Sequence, residues 1–202
     1  MPQNSKVFVV DDDPALRDSL SMLLQASGYE ATAFESAAAF LESDAPGAVG
    51  CLIVDVRMPG KNGLELQQEL VGRASTIAVI VMTGHADIPI AVQAMKAGAV
   101  DFLEKPFEEA TLLDSVSRAF QLLDTANRQT DAAREAKNRL LTLTEREHQV
   151  LDLIVAGKAN KVVAYELSIS PRTVEIHRSR VMEKMGARNL ADLVRMALSV
   201  SQ

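Results

Sequence analysis

The chain has 202 residues, 48% hydrophobic and 24% charged, with a formal net charge of −6, a balance that suits a globular protein with room for two compact domains and excludes wholesale disorder or fibrous sequence. No apolar stretch approaches the roughly 18–20 residues that cross a bilayer, and the opening Met1–Lys6 leads into an apolar run that stops at once at Asp11-Asp12-Asp13. Neither a membrane span nor a secretory leader is expected, so a cytoplasmic protein is. The single cysteine, Cys51, lies in an apolar run and reads as a small core residue; a Cys-rich zinc site is excluded.

Short apolar runs of strand length appear at Lys6–Val10, Tyr29–Phe34, Cys51–Val54, Ile77–Met82 and Ala99–Leu103, separated by amphipathic stretches at Pro14–Ala26, Ser36–Glu42, Leu64–Val71 and Ile88–Ala97. A fifth amphipathic stretch, with Leu112, Leu113, Val116, Ala119, Phe120 and Leu123 on one stripe, follows Pro106. Strand then helix, five times over, predicts parallel strands joined by right-handed crossovers. Runs that are apolar throughout, such as Val7–Val10, suit strands covered by helices on both faces. The expected fold is a doubly wound α/β domain over residues 1–123. Gly28, Gly72 and Gly98 fall where its helices should stop, at positions that favour positive φ.

Residues 124–139 lose the apolar stripe, and no Gly or Pro occurs between Phe107 and Ala156. A helical, semi-rigid linker fits this composition better than a flexible tether, although so polar a helix could fray. Residues 140–202 read as helical throughout. Thr144 and Glu147 have capping-box spacing ahead of Val150, Leu151 and Ile154. A short helix Asn160–Leu167, a tight turn at Ser168–Ser170 and a helix opened by Pro171 and closed by Gly186 form a helix-turn-helix, and Leu190–Val200 is a last helix. The charge divides with this organisation: −10 over residues 1–124 and +4 over residues 125–202, which suggests different partners for the two ends.

In a doubly wound sheet, ligands bind outside the carboxyl ends of the strands. There the sequence places Asp11, Asp12 and Asp13 after the first strand, Asp55 after the third, Thr83 after the fourth and Lys105 after the fifth. Crowded carboxylates repel by about 4 kcal/mol per close pair at an effective dielectric near 20, so a hard divalent cation is expected among them, and the absence of His and Cys favours Mg²⁺ over zinc. Asp55 can then serve as a nucleophile toward phosphorus, with Lys105 as a point charge on a phosphoryl oxygen and Thr83 as a hydroxyl donor.

These residues carry a resemblance. Val9-Val-Asp-Asp-Asp13, Asp55-Val-Arg-Met-Pro59 with Gly63, Val81-Met-Thr-Gly84 and Phe102-Leu-Glu-Lys-Pro-Phe107 resemble, in order and spacing, the receiver domain of bacterial response regulators over about 120 residues. The resemblance implies that Asp55 is the phosphoacceptor and that Asp11, Asp12, Asp55 and the carbonyl of Arg57 hold Mg²⁺. It further implies that Lys105 contacts the phosphoryl group, that the Lys105–Pro106 bond is cis, and that Thr83 and Phe102 form the switch pair. Phosphorylation adds charge and acceptor oxygens that can draw Thr83 inward, vacating space for Phe102 and reshaping the face of the fourth helix, fifth strand and fifth helix.

In the rear part, Val174, His177, Val181 and Met185 make an inward stripe on the helix opened by Pro171, leaving Arg172, Glu175, Ile176 and Ser179 outward, flanked by Arg180 and Lys184. A basic outward helix suits a DNA major groove. Leu143-Thr-Glu-Arg-Glu147, Gly157-Lys-Ala-Asn-Lys161, Ile169-Ser-Pro-Arg-Thr-Val174 and His177 with Lys184-Met185 resemble the LuxR-type DNA-binding domain, and the whole chain resembles the FixJ-type two-component response regulators. That resemblance implies DNA contacts by Asn160, Lys161, Arg172, Thr173, Glu175, Ile176, His177, Ser179, Arg180 and Lys184. The implied partners are a sensor histidine kinase, promoter DNA and RNA polymerase, with a homodimer forming on phosphorylation. His85, His148 and His177 are scattered and offer no metal or phosphorelay site.

Two other readings stand beside this one. An aspartyl-phosphate phosphatase would want Asp-x-Asp-x-Thr after the first strand, where Ala15 takes the Thr position. A receiver whose rear domain binds protein or RNA is the other. The expected protein is a DNA-binding regulator, not an enzyme.

Overall fold

A computed structural model describes residues 5–84 and 88–200; His85 lies outside the described residues. The chain forms two compact units, Met1–Ala126 and Asn127–Gln202. The first contains β1 (Lys6–Val10), α1 (Pro14–Ala26), β2 (Glu30–Phe34), α2 (Ala37–Glu42), a 3₁₀ turn at Ala45–Gly47, β3 (Gly50–Asp55), α3 (Gly63–Gly72), β4 (Ile77–Thr83), α4 (Ile88–Lys96), β5 (Asp101–Glu104) and the start of α5 (Glu109–Leu140). The five strands are parallel in the order β2-β1-β3-β4-β5, the doubly wound sheet expected from the alternation of strand and helix.

The near-continuous apolar strands follow from cover on both faces. Phe8, Val10, Leu52, Val54, Val79 and Val81 join one core cluster with Phe40, Leu66, Leu70 and Ala94 of the helices. The alternate residues Val7, Val9, Cys51, Ile53, Ala78 and Ile80 join another with Leu20, Leu24, Leu112, Val116 and Ala119. Side chains that alternate across a strand therefore meet apolar partners on either side. Cys51 is fully buried, and burial drives its thiol pKa far above the ordinary value, so it is an inert core residue.

Gly28 and Gly98 take positive φ (87° and 89°), as expected, but Gly72 does not. It is the last residue of α3, and the left-handed position falls two residues later, on Ala74 (φ 51°). Gly63 matters for a different reason. A Cβ there would run into the backbone carbonyl of Asp55 and lie 3.1 Å from Val54 Cγ2, so only glycine lets α3 begin this close to the end of β3.

The second unit holds the end of α5, then α6 (Glu145–Val155), α7 (Asn160–Glu166), α8 (Pro171–Met185) and α9 (Leu190–Val200) around a core of Val150, Leu151, Ile154, Val163, Val174, Val181, Met185 and Leu193. The caps explain where these helices begin and end. Thr144 and Glu147 form a complete capping box. Ser170 Oγ accepts from the Thr173 amide at 3.1 Å beside Pro171 in the first turn of α8, and Gly186 closes that helix at φ 64°.

Candidate functional site

Strand order reverses direction between β1 and β3, and the carboxyl ends of β1, β3, β4 and β5 lie side by side along one edge of the sheet. Asp11 follows β1 and is 1% exposed, Asp55 ends β3 at 5%, and Thr83 ends β4 fully buried. Lys105 enters just after β5, its amide donating to the Thr83 carbonyl at 2.7 Å, and the Lys105–Pro106 bond is cis.

The chemistry of the edge centres on Lys105. Its Nζ donates to Asp11 Oδ2 at 2.7 Å and to Asp55 Oδ1 at 2.5 Å. The remaining oxygens are held by backbone: Asp55 Oδ2 accepts from the Arg57 amide at 2.5 Å, and Asp11 Oδ1 from the Asp13 amide at 2.8 Å. Burial pushes the Asp55 carboxyl above the usual carboxylate range, against the opposing pull of Lys105 and the Arg57 amide. Burial disfavours the Lys105 ammonium too, but its bonds to Asp11 and Asp55 override this and hold its pKa above the ordinary lysine value. Two oxyanions and one cation thus stand in mutual contact at the mouth of the sheet.

This convergence is narrower than the crowd of three or four carboxylates expected from sequence. Asp12 is exposed, and Asp13 is used as the N-cap of α1, accepting from the amides of Ala15 and Leu16. Among the described residues no three His, Cys, Asp or Glu side chains are gathered as a metal cluster. Sequence reading also missed Arg17, whose Nη1 donates to the Asp11 carbonyl at 2.8 Å. The signal was present, since Arg17 lies four residues after Asp13 and one turn of α1 brings it back over the β1 terminus. Phe102, on β5 opposite Val81, is half-buried and packs against the same cluster as Ala94 of α4. An open groove of about 610 Å³ adjoins the loop after Asp55, lined by Arg57, Met58, Pro59 and Ile90 among others.

In the second unit, α8 presents Arg172, Glu175, Ile176, Ser179 and Arg180 to solvent while Val174, Val181 and Met185 are buried. Lys161 is exposed at the start of α7. Asn160 is half-buried and accepts from Arg178 at 3.2 Å, and the half-buried Thr173 shares a 2.8 Å hydroxyl contact with Ser170. His177 is half-buried, with Nδ1 enclosed and making no hydrogen bond.

Lys184 departs from the expected outward flank. Its Nζ donates to Glu147 Oε2 at 2.6 Å and to the Thr142 carbonyl at 3.1 Å. Glu147 is 2% exposed and already in the capping box, so it needs a cation, and Lys184 is within reach. The Lys184 bond, helped by the Thr144 amide, holds the Glu147 carboxyl down at about 2, well below its ordinary 4.5. A depressed carboxylate contributes stability that is complete above the unfolded value and is lost as pH falls toward the folded one. The stability advantage of the parent over Glu147→Gln is therefore expected to be full above about pH 4.5 and to shrink toward pH 2, as read by denaturant titration of both chains across that range.

Comparison with known proteins agrees with this geometry. Residues 7–117 match the response regulator receiver domain family, and residues 141–197 match the bacterial regulatory proteins of the luxR family. The chain is 52% identical to the transcriptional regulatory protein FixJ of Azorhizobium caulinodans over 98% of its own length and 94% of the relative's. It is 42% identical to the response regulator protein TmoT of Ectopseudomonas mendocina over 96% and 88%. Among solved structures it is similar to the response regulator StyR (TM-score 0.78, 42% identity, 96% and 98% covered) and to full-length FixJ from B. japonicum (TM-score 0.61, 43% identity, 99% and 98% covered). The chain belongs to the two-component response regulators that join a receiver domain to a LuxR-type DNA-binding domain, the family of the FixJ transcriptional regulators.

Proposed function

We propose that a sensor histidine kinase phosphorylates Asp55, and that the chain then dimerises and binds promoter DNA to activate transcription through RNA polymerase in the cytoplasm. Residues 1–123 act as the receiver, 124–139 as a helical linker and 140–202 as the DNA-binding part. The observation that carries this reading is the shared contact of Asp55 and Asp11 with Lys105. It puts a nucleophilic carboxylate beside a fixed cation at the edge where doubly wound sheets bind ligands. Among the described residues no helix is long and apolar enough to cross a membrane.

The donor set suits Mg²⁺. It consists of hard oxygens only, and this ion is commonly held by one or two carboxylates together with water and phosphate. Asp11 and Asp55 would hold it with the Arg57 carbonyl, and Asp12 from the outer side; once bound, the ion neutralises charge on the transferring phosphoryl group. Asp55 supplies the attacking oxygen. Lys105, already on Asp55 Oδ1, pairs with a phosphoryl oxygen, and Thr83 donates its hydroxyl to another. Thr83 moving toward the phosphoryl group makes room for the half-buried Phe102 to turn inward, which alters the face of α4, β5 and α5. Light scattering tests the linkage: millimolar Mg²⁺ with a small phosphodonor should double the mass from 21.8 kDa, whereas an unchanged mass would contradict it.

On DNA, the exposed side chains of α8 enter the major groove, with Arg172, Arg180 and Lys161 on phosphates and Glu175, Ile176 and Ser179 toward base edges. Asn160, Thr173 and His177 line the same approach from half-buried positions. Lys184, committed to Glu147, serves the fold of this unit. Arg180→Ala is expected to weaken binding about equally on all sequences and to reduce the salt slope by about one. Ile176→Ala should instead change which sequences are selected. Competitive binding to a random-sequence duplex pool, repeated at several salt concentrations, checks both.

A further inference from the structure

The C-terminal end of α8 is held by a contact that the DNA-binding reading leaves unused. Arg139, in the last turn of α5, donates from Nη1 to the carbonyl of Met185, the final residue of α8, at 2.5 Å. Its Nη2 donates to Glu135 at 2.6 Å, one turn back on its own helix, which fixes the guanidinium plane. Gly186 follows at φ 64°, and a Cβ built on it would collide with Arg139 Nη1. The guanidinium therefore occupies the space that the absent side chain leaves. Glycine at 186 permits both the left-handed turn and the close approach of the arginine.

The last carbonyls of a helix lack partners within it, and the helix dipole makes that end favourable for a cation. Arg139 answers both needs at the end of α8, and Lys184, bonded to Thr142 and Glu147, ties the same turn to the segment between α5 and α6 and to the first turn of α6. We propose that Arg139 is a positioning residue for DNA recognition: it clamps the C-terminus of α8 so that the N-terminal half of that helix enters the groove at a fixed angle. This rests on α8 being the DNA-reading helix. The 15 residues of α8 span about 22 Å, so a tilt of ~3° at the clamped end moves the other by about 1 Å. That exceeds the tolerance of a base-edge hydrogen bond, whose distance range is a few tenths of an ångström. The clamp also makes α8 sensitive to the helix that leads into it, because in α5 every residue from 124 to 132 is exposed and such a bare stretch of helix is marginal by itself.

The test uses the full chain. Arg139→Gln should raise amide hydrogen exchange in residues 181–187 while leaving α6 protected. It should also weaken binding to a duplex selected from a random pool by the parent chain about tenfold, which corresponds to about 1.4 kcal/mol, with the salt slope unchanged. Arg139→Lys, which keeps a cationic donor, should recover most of the loss. Gly186→Asn, whose residue tolerates the left-handed conformation but whose Cβ displaces the guanidinium, should reproduce the Arg139→Gln phenotype, and the double variant should be no worse than either single one. Unchanged exchange in 181–187 overturns the clamp and requires no DNA, so its failure is separate from any failure of the DNA reading. A salt slope shallower by about one also overturns it, since the guanidinium would then sit on a phosphate itself.

Discussion

Asp55→Asn is expected to take up no label from a small radioactive phosphodonor in millimolar Mg²⁺, and to stay at the monomer mass under conditions in which the parent is expected to dimerise. The amide lacks the anionic oxygen that we propose attacks phosphorus, and the nearby carboxylates stand elsewhere: Asp11 follows β1, Asp12 is exposed and Asp13 caps α1. The loss should therefore be complete, since removing a nucleophile leaves no parallel route. The same substitution should leave the fold intact and somewhat firmer at neutral pH. Burial raises the Asp55 pKa, so its charge costs stability as pH rises through that value, and asparagine removes the cost. The stability gain of Asp55→Asn over the parent should accordingly be larger at pH 7 than at pH 4. Undiminished labelling of the variant would move the phosphoacceptor elsewhere.

Lys105→Ala should have the largest effect on stability. It leaves Asp11, 1% exposed, and Asp55, 5% exposed, facing each other without their shared cation. Breaking one partner out of a buried ionic cluster costs about 3–5 kcal/mol, a large fraction of the whole stability of a domain. The destabilisation should be greatest near neutral pH and relax as Asp55, whose pKa burial raises, takes up a proton. Millimolar Mg²⁺ should restore part of it by supplying the missing positive charge. Denaturant titration with and without Mg²⁺ reads this directly; a change below about 1 kcal/mol, insensitive to the ion, would show that Lys105 is not the group that neutralises the pocket.

The strand–helix alternation was legible because both faces of the sheet are covered. Val7 and Phe8, or Ile53 and Val54, could each be read as buried without knowing which face they serve. Strand ends were legible for the opposite reason, since Asp11, Asp55 and Lys105 interrupt apolar runs abruptly. What could not be read was how the polar groups divide their work once brought together. Asp11, Asp12 and Asp13 are identical in sequence, yet one binds Lys105, one is exposed and one caps α1. That division depends on the direction in which the chain leaves β1, which a string of identical residues does not encode.

Lys184 shows the same limit in the other unit. Helical spacing puts it beside Arg180 on the basic side of α8, but the partner that captures it, Glu147, lies 37 residues earlier in a capping box. A capping glutamate was legible, whereas its burial and consequent need for a cation were properties of packing. Gly72 fails more locally. A glycine near a helix end is a good marker of positive φ, but α3 runs through it and the left-handed residue is Ala74.

If Asp55 is the phosphoacceptor, chemistry at Asp55 governs the affinity of α8 for DNA. The most direct test is a fluorescence anisotropy titration of a selected duplex with the full chain, before and after treatment with a small phosphodonor and Mg²⁺ at fixed salt. Binding at least tenfold tighter is expected after treatment, because two linked copies would engage two half-sites at once, with no gain for Asp55→Asn. Identical affinity before and after, with Asp55 shown by mass spectrometry to carry phosphate, would contradict it.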